Sequence, residues 1–189
     1  MPAASRIWVD PGAAFLLDAA MTATRKTLYL VRHAKALSSG SLEDHEQPLS
    51  EKGEGEAREI GSLMAREGWM PDCVLSSPEV RALDTARLLC GELGFDEGRI
   101  VRIPELFHAE AGRFMWSLRK RLLAETAVLV VGHNPGITDV ANLLVEGAGI
   151  GDMPTASLVV LDLELEAWQD LRGAKGERRA FAIPGIGRL

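Results

Sequence analysis

The chain has 189 residues, of which 47% are apolar and 25% are charged, a composition typical of one globular domain with a single core. A formal net charge of −6 and the lack of any run of five or more Lys and Arg residues argue against nucleic acid as a partner. No apolar stretch approaches the roughly 20 residues of a membrane span, and Cys73 and Cys90 match no zinc or dithiol motif. These features predict a soluble cytoplasmic protein.

The first 25 residues are Ala-rich and show no clear hydrophobic period. We interpret residues 1–25 as an N-terminal extension, either a loosely held arm or a start-site artefact with Met21 as the alternative initiator. Asp10 and Asp18 interrupt its apolar part, which argues against a secretion signal. One domain is then expected over 26–189.

From Thr27 onward, short apolar runs alternate with helical patterns, as in crossover units that build a parallel sheet. This order predicts an α/β three-layer sandwich with a central, mostly parallel sheet and helices on both faces. Ser50 is expected to cap the first helix, and Ser77 the second, with Pro78 in its first turn. The predicted strands are residues 28–31, 73–75, 99–103, 127–131, 157–163 and 180–183, and the third and fourth helices span 112–123 and 134–145.

Arginine and histidine residues follow several of these predicted strands. Arg32 and His33 follow the first strand, His133 follows the fourth, and Arg81 lies on the first turn of the helix after the second. Ligands of such sheets bind beyond the carboxyl ends of the strands, so we expect these side chains to meet. Two guanidinium forks and two imidazoles suit a tetrahedral phosphate dianion. The sequence therefore predicts a phosphate site at this edge.

The motifs Arg32-His33-Ala34, Ser77 to Arg81 and Gly132 to Gly136, in this order, resemble those of the histidine phosphatase superfamily. The shortness of the chain resembles the phosphohistidine phosphatase (SixA-like) branch. The likeness extends over residues 28–189 and implies a phosphoglycerate mutase-like fold. It also includes the segments 44–53, 71–78 and 153–157.

The resemblance implies a role for each matching residue. His33 would be the nucleophile, Arg32 and Arg81 phosphate clamps, His133 a stabiliser of the transferring group, and Glu105 the family's acid. The chain departs from the family pattern in having Ala34 where glycine is usual and Gln47 where an arginine usually precedes Pro-Leu. With Gln47 in place of the arginine, no extra contact with the anionic substrate is expected from this loop.

A histidine nucleophile forms a phosphohistidine that water then hydrolyses, which divides one hard step into two easier ones. An imidazole that leaves phosphorus is chemically equivalent to the imidazole that attacks it and needs less acid assistance than an alkoxide, so a phosphorylated protein such as a histidine phosphotransfer domain is the expected substrate and partner. A small sugar or nucleotide phosphomonoester is the alternative substrate. A second alternative, of another class, is a non-catalytic module that binds a phosphorylated ligand.

No cofactor is expected, and no metal, because none of the four histidines pair at helix-face spacing. Asp44, His45 and His108 are interpreted as solvated or hydrogen-bonded residues, with a role at the rim of the substrate site as the alternative. We expect a monomer or a weak dimer.

Overall fold

The computed structural model describes residues 25–37, 43–147 and 149–188. The predicted N-terminal extension lies outside the described residues except for Arg25, which begins the first strand. The described part of the chain forms a seven-stranded sheet with the order β3-β2-β4-β1-β5-β6-β7. In chain order, the strands are β1 (Arg25–Arg32), β2 (Cys73–Ser76), β3 (Val101–Arg102), β4 (Ala127–Gly132), β5 (Leu158–Glu164), β6 (Lys175–Ile183) and β7 (Gly187–Arg188).

The first half of the sheet is parallel, since β4 pairs in parallel with both β1 and β2, and β2 with β3. Strands β5 and β7 run the other way, because β5 pairs antiparallel with β1 and β6, and β7 antiparallel with β6. Strand β6 therefore points in the same direction as β1. The sheet is therefore mixed, with three parallel and three antiparallel pairings, and its parallel half carries the carboxyl edge where the predicted site residues lie.

Helices cover both faces of the sheet. They are α1 (Glu51–Arg66), α2 (Val80–Leu93), α3 (Ala111–Arg121) and α4 (Gly136–Leu144). On β4, Val128 and Val130 pack into one apolar cluster with α3 and α4, whereas Leu129 and Val131 pack into another with α1 and α2. A strand buried on both faces is apolar throughout, which is why 127–131 shows no polar alternation. The three-layer α/β sandwich is confirmed.

Of the two serines expected to cap helices, one does and one does not. Ser50 caps α1 as expected, since its Oγ accepts a hydrogen bond from Gly53 N at 3.1 Å. The expectation that Ser77 caps α2 is wrong. The Ser77 N–H instead donates to Val131 O and extends the β2–β4 pairing, so α2 begins only at Val80, after Glu79.

The predicted third strand, 99–103, is shorter in the structure. A 3₁₀ turn, Glu97–Arg99, precedes it and is capped by the Asp96 carboxylate, which accepts from Gly98 N. Only Val101 and Arg102 pair with β2. Within the described residues, no helix is long and apolar enough to cross a membrane.

Gly136, the first residue of α4, allows this helix to approach the chain before α3. A Cβ at Gly136 would lie 1.9 Å from Ala109 O, a backbone atom that cannot rotate away. We expect Gly136→Ala to lower the free energy of unfolding by about 2 kcal/mol or more, because overpacking forces the backbone to shift. Urea unfolding measures this difference.

Gly91→Ala is the matched control for Gly136→Ala. Gly91 lies inside α2, and a Cβ there meets nothing within 4 Å. Alanine is the better helix former, so Gly91→Ala should raise stability by about 0.5–1 kcal/mol. Equal effects of the two substitutions would contradict this account of Gly136.

Candidate active site

The structure brings the two predicted histidines together at the carboxyl edge of the parallel half-sheet. Arg32 is paired in register with Gly132 on the adjacent parallel strand, so the residues that follow each of them leave the sheet side by side. The rings of His33 and His133 have centroids 4.9 Å apart. His133 is buried, with 6% of its surface exposed.

His33 has the tautomer that a nucleophile needs. Its Nδ1 lies 2.8 Å from Ala34 O, and a carbonyl oxygen only accepts hydrogen bonds, so Nδ1 carries the proton. The lone pair is then on Nε2. Burial lowers the pKa of His33 to about 4, helped by the charges of His133, Arg81 and Arg32, although the bond to Ala34 O opposes the shift. The ring is therefore neutral at neutral pH.

This low pKa predicts an unusual pH dependence of turnover. Only neutral His33 can attack, so kcat/KM should stay level as the pH falls from 7 to 5 and decline only as the pH approaches about 4. An unperturbed histidine would lose activity near pH 6.5. The measurement is a pH profile of kcat/KM, in which the ionisation of the substrate is titrated separately and its contribution is removed. A decline near 6.5 after that correction would contradict a buried neutral nucleophile.

Arg81 is a buried member of the site rather than a solvated helix residue, since it is 5% exposed. Its Nη1 donates to the Asp44 backbone oxygen at 2.6 Å and to Asp44 Oδ1 at 2.9 Å, and its Nη2 donates to Oδ2 at 2.8 Å. Asp44 thus occupies the end of the guanidinium. Arg32 is also held by the protein, because its Nη1 donates to Met153 O at 2.6 Å.

Both guanidinium groups keep one edge for another acceptor. The Nε atoms of Arg32 and Arg81 are buried and have no hydrogen-bond partner among the described residues. Leaving a buried N–H unsatisfied costs about 1–3 kcal/mol, so such donors indicate a ligand that accepts from them. The Nε and Nη2 edge of an arginine matches two oxygens of a phosphoryl group. Each of the two arginines therefore keeps a buried donor that suits an oxyanion.

The segment 153–157, singled out in the sequence, forms hydrogen bonds with the residues that carry the site. Met153 O accepts from Arg32 and also from Asn134 Nδ2 at 3.0 Å. The Ala156 N–H lies 3.1 Å from Arg32 O and 3.2 Å from His33 O. These contacts fix the turn that carries Arg32 and His33. Ala34, which stands where the family usually has glycine, is fully buried, and its N–H donates to Thr85 Oγ1.

Sequence reasoning missed Glu79. Its side chain is buried, with Oε2 lying 2.6 Å from His133 Nε2 and accepting a hydrogen bond from Ser77 Oγ. Its Oε1 lies 3.8 Å from Arg81 Nη2. An acidic residue at a helix N-terminus is ordinary, because the helix dipole favours it there, so its type and position drew no attention. Its one sequence signal was its place two residues before Arg81.

Asp44 and His108 are largely exposed, and Asp44 is hydrogen-bonded, as expected; both lie at the rim of the site. Asp44 binds Arg81, which holds the pKa of that carboxyl below its usual range. His108 Nε2 is 3.8 Å from Asp44 Oδ2, and its ring centroid is 6.0 Å from that of His133. The backbone of His108 has φ = 44°, a conformation unusual for a residue with a side chain.

Glu105 is not brought to the histidines. It lies in the 3₁₀ turn Pro104–Leu106 and lines a separate cleft with Trp116 and Lys120. Leu106 of the same turn packs into the core. No contact among the described residues joins Glu105 to His33 or His133, so its role as the acid stays a prediction that this placement does not favour. Within the described residues, no group of three or more His, Cys, Asp and Glu is arranged to hold a metal ion.

The fold is that of an α/β protein that brings two histidines and two arginines to the carboxyl edge of its parallel strands. Comparison with known proteins agrees, since the family model "Histidine phosphatase superfamily (branch 1)" matches residues 28–115. The match covers just under half of the chain, and over these residues the chain is similar to the histidine phosphatase superfamily, a family of phosphatases and mutases.

The solved structures similar to this chain include short phosphatases. A candidate phosphohistidine phosphatase SixA from Agrobacterium tumefaciens is 28% identical, with a TM-score of 0.70 over 84% of this chain and 98% of that one. Another, from Nakamurella multipartitia, is 26% identical, with a TM-score of 0.73 over 86% and 98%. An uncharacterised chloroplastic protein of Arabidopsis thaliana is 28% identical over 175 residues, 88% of this chain and 75% of its own length.

Proposed function

We propose that this protein is a protein phosphohistidine phosphatase that acts through a phosphohistidine intermediate on His33. The observation that carries the proposal is the His33 ring. Its Nδ1 proton is fixed on Ala34 O, which leaves the Nε2 lone pair beside His133 and the two arginines. The similarity to two proteins described as candidate SixA phosphohistidine phosphatases supports the choice of substrate.

The reaction consists of two displacements at phosphorus. In the first, the Nε2 lone pair of His33 forms a bond to phosphorus while the bond to the leaving nitrogen breaks; the leaving ring keeps that electron pair and is neutral imidazole because its other nitrogen carries a proton. In the second, a water oxygen attacks phosphorus, both of its protons stay on the phosphate released as H2PO4⁻, and the P–Nε2 pair returns to His33. The free edges of Arg32 and Arg81 stabilise the charge on the equatorial oxygens, an effect worth several kcal/mol.

The carboxylates at the site favour an imidazole leaving group over an alkoxide. An alkoxide needs a proton donor, whereas imidazole can leave as readily as His33 attacks. Burial raises the pKa of Glu79, but hydrogen bonds from His133 and Ser77 outweigh it and the net shift is downward, so Glu79 is ionised at neutral pH. Asp44 is ionised too, because Arg81 lowers its pKa. Neither can act as an acid toward an ester.

The cleft beside Glu79 supports the same substrate class. It has a volume of about 410 Å³ and is lined by His45, Glu46, Pro78, Glu79, Val80 and Phe107. Apart from His45, this lining is apolar or acidic and has no Lys or Arg, so it suits a ring better than a second phosphate. Small bisphosphates and nucleotides are therefore less suited to it.

A small phosphomonoester remains the second candidate, because of His108. This exposed imidazole at the rim is a group that could protonate an alkoxide. A 2,3-bisphosphoglycerate-dependent phosphoglycerate mutase of Rhizobium etli is 32% identical over 90 residues, 46% of this chain and 43% of the mutase. The superfamily thus includes enzymes of small phosphoesters.

The test compares substrates in one assay of released phosphate. The protein is incubated with a histidine phosphotransfer domain phosphorylated on histidine, with p-nitrophenyl phosphate and with a sugar phosphate, each beside the His33→Ala variant. We expect fast release from the phosphorylated domain and slow release from both esters. Fast ester hydrolysis with an intact phosphorylated domain would assign the second candidate. Binding of the phosphorylated domain without release from any substrate would make the chain a non-catalytic binding module.

A further inference from the structure

Glu79 forms the most buried charged contact of the site. It is 2% exposed and its partner His133 is 6% exposed. Because Oε2 of an ionised carboxylate only accepts, the 2.6 Å contact places an N–H on His133 Nε2. His133 Nδ1 is also buried and has no partner among the described residues. The contact with Glu79 fixes the proton on Nε2 but does not fix whether Nδ1 is protonated.

Formal charges at the site balance before any ligand enters. Arg32 and Arg81 contribute two positive charges, and Glu79 and Asp44 contribute two negative charges. A phosphoryl dianion would therefore enter a site of net charge zero. A bound anion next to a buried imidazole favours its charged form, as does a carboxylate in hydrogen-bond contact with it. One extra proton on the imidazole would make the charge balance more favourable.

We infer that the Glu79–His133 pair takes up a proton when an oxyanion binds, so that His133 becomes a donor from both ring nitrogens. Glu79 is then a positioning residue that acts on the phosphoryl group through His133. This inference concerns the same site as the proposed function and rests on it for the identity of the oxyanion. Glu79 keeps Nε2 protonated, and the incoming proton goes to Nδ1. His133 thereby gains a charge only while the phosphoryl group is present.

Several other charged or titratable groups face this pair. His33 faces it from the end of β1, together with Arg32, and Arg81 faces it from the first turn of α2. Asp44 and His108 face it from the rim. Of these groups, His33 keeps its neutral form down to about pH 4, because its pKa is about 4. His108 is the other imidazole near the pair, so it needs a variant of its own.

Proton uptake can be measured without any turnover. Tungstate is a dianion that carries no proton at pH 8, and its binding heat in buffers of different ionisation enthalpy gives the number of protons taken up. We expect about one proton for the wild-type protein and for His108→Ala, and half of that or less for Glu79→Gln. Equal uptake by wild type and Glu79→Gln, or loss of uptake in His108→Ala, would overturn the inference.

The pH profile of kcat/KM gives a second readout. In Glu79→Gln, the carboxamide keeps the shape but not the charge, so the alkaline limb should move to lower pH by about one unit and kcat/KM at pH 8 should fall about 10-fold or more. In Ser77→Ala, the carboxylate loses a competing donor and binds the imidazolium more strongly, so the limb should move to higher pH. If Glu79 had a purely structural role, its substitution would lower the melting temperature and leave the pH profile of kcat/KM unshifted. Higher activity of Glu79→Gln at pH 8 would also overturn the inference.

Glu92→Gln is the matched control. Glu92 accepts from Ser62 Oγ at 2.7 Å, a Ser–Glu pair of the same kind, but at the far end of α2. It lies about 20 Å from Glu79 along the helix, at 1.5 Å per residue. Its uptake and pH profile should match the wild type. If the wild-type protein binds tungstate but hydrolyses no substrate, the proposed function fails while this inference can still be judged from proton uptake.

Discussion

His33→Ala is expected to lower kcat/KM by about 10⁴-fold or more, because it removes the Nε2 atom that we propose forms the covalent intermediate. Loss of a nucleophile typically leaves only the contribution of binding and charge stabilisation. Rapid quenching of the wild-type protein with ³²P-labelled substrate should trap one acid-labile phosphate on His33. The variant should trap none.

Controls for His33→Ala separate chemistry from folding. The side chain packs against His133 and is partly buried, so the melting temperature of the variant should be measured beside its activity. Added imidazole should restore part of the turnover by acting as an external nucleophile. Label found on His133 or His108 in the wild-type protein would contradict the assignment, as would turnover by the variant at the wild-type rate.

Arg81→Lys should lower kcat/KM by about 10²–10³-fold, corresponding to about 2.7–4 kcal/mol of transition-state stabilisation. Lysine keeps the positive charge but has no Nε–H edge to face the phosphoryl group and cannot bind both carboxylate oxygens of Asp44 side by side. The effect on stability should be small, since Asp44 is largely exposed. Steady-state kinetics and thermal unfolding together measure the two effects.

Arg87→Lys is the matched control for Arg81→Lys. Arg87 lies on the same helix and also binds an aspartate, with its Nη1 2.8 Å from Asp84 Oδ1, but that pair is at the surface. This variant should keep the wild-type kcat/KM. If Arg81→Lys also stays within about threefold of the wild type, Arg81 is not a clamp on the transferring group.

The meeting of His33 and His133 could be predicted because it depends only on strand order and direction. Each residue follows a short, fully apolar run, and adjacent parallel strands end at the same edge of the sheet. The hydrophobic period showed where the runs are. No information about loops was needed.

Asp44, Glu79 and Glu105 could not be placed in the same way, because loop paths decide where they lie. Glu79 contacts a residue 54 positions away and Asp44 one 37 positions away, and neither spacing follows any local period. The direction of Glu105 depends on a single 3₁₀ turn in which Leu106 takes the core position. Ser77 shows the same limit, since its backbone continues the sheet where its residue type suggested a helix cap.

The Asp44–Arg81 contact links substrate choice to catalysis. Asp44 belongs to the short turn Asp44–Glu46, whose His45 and Glu46 line the cleft beside the site, yet its own carboxylate sets the position of a buried arginine. Exchanging this turn for that of a related enzyme would therefore change more than the preferred substrate. Chimeras that replace Asp44 should turn over every substrate more slowly, whereas libraries that vary only His45 and Glu46 should yield altered selectivity at undiminished rates.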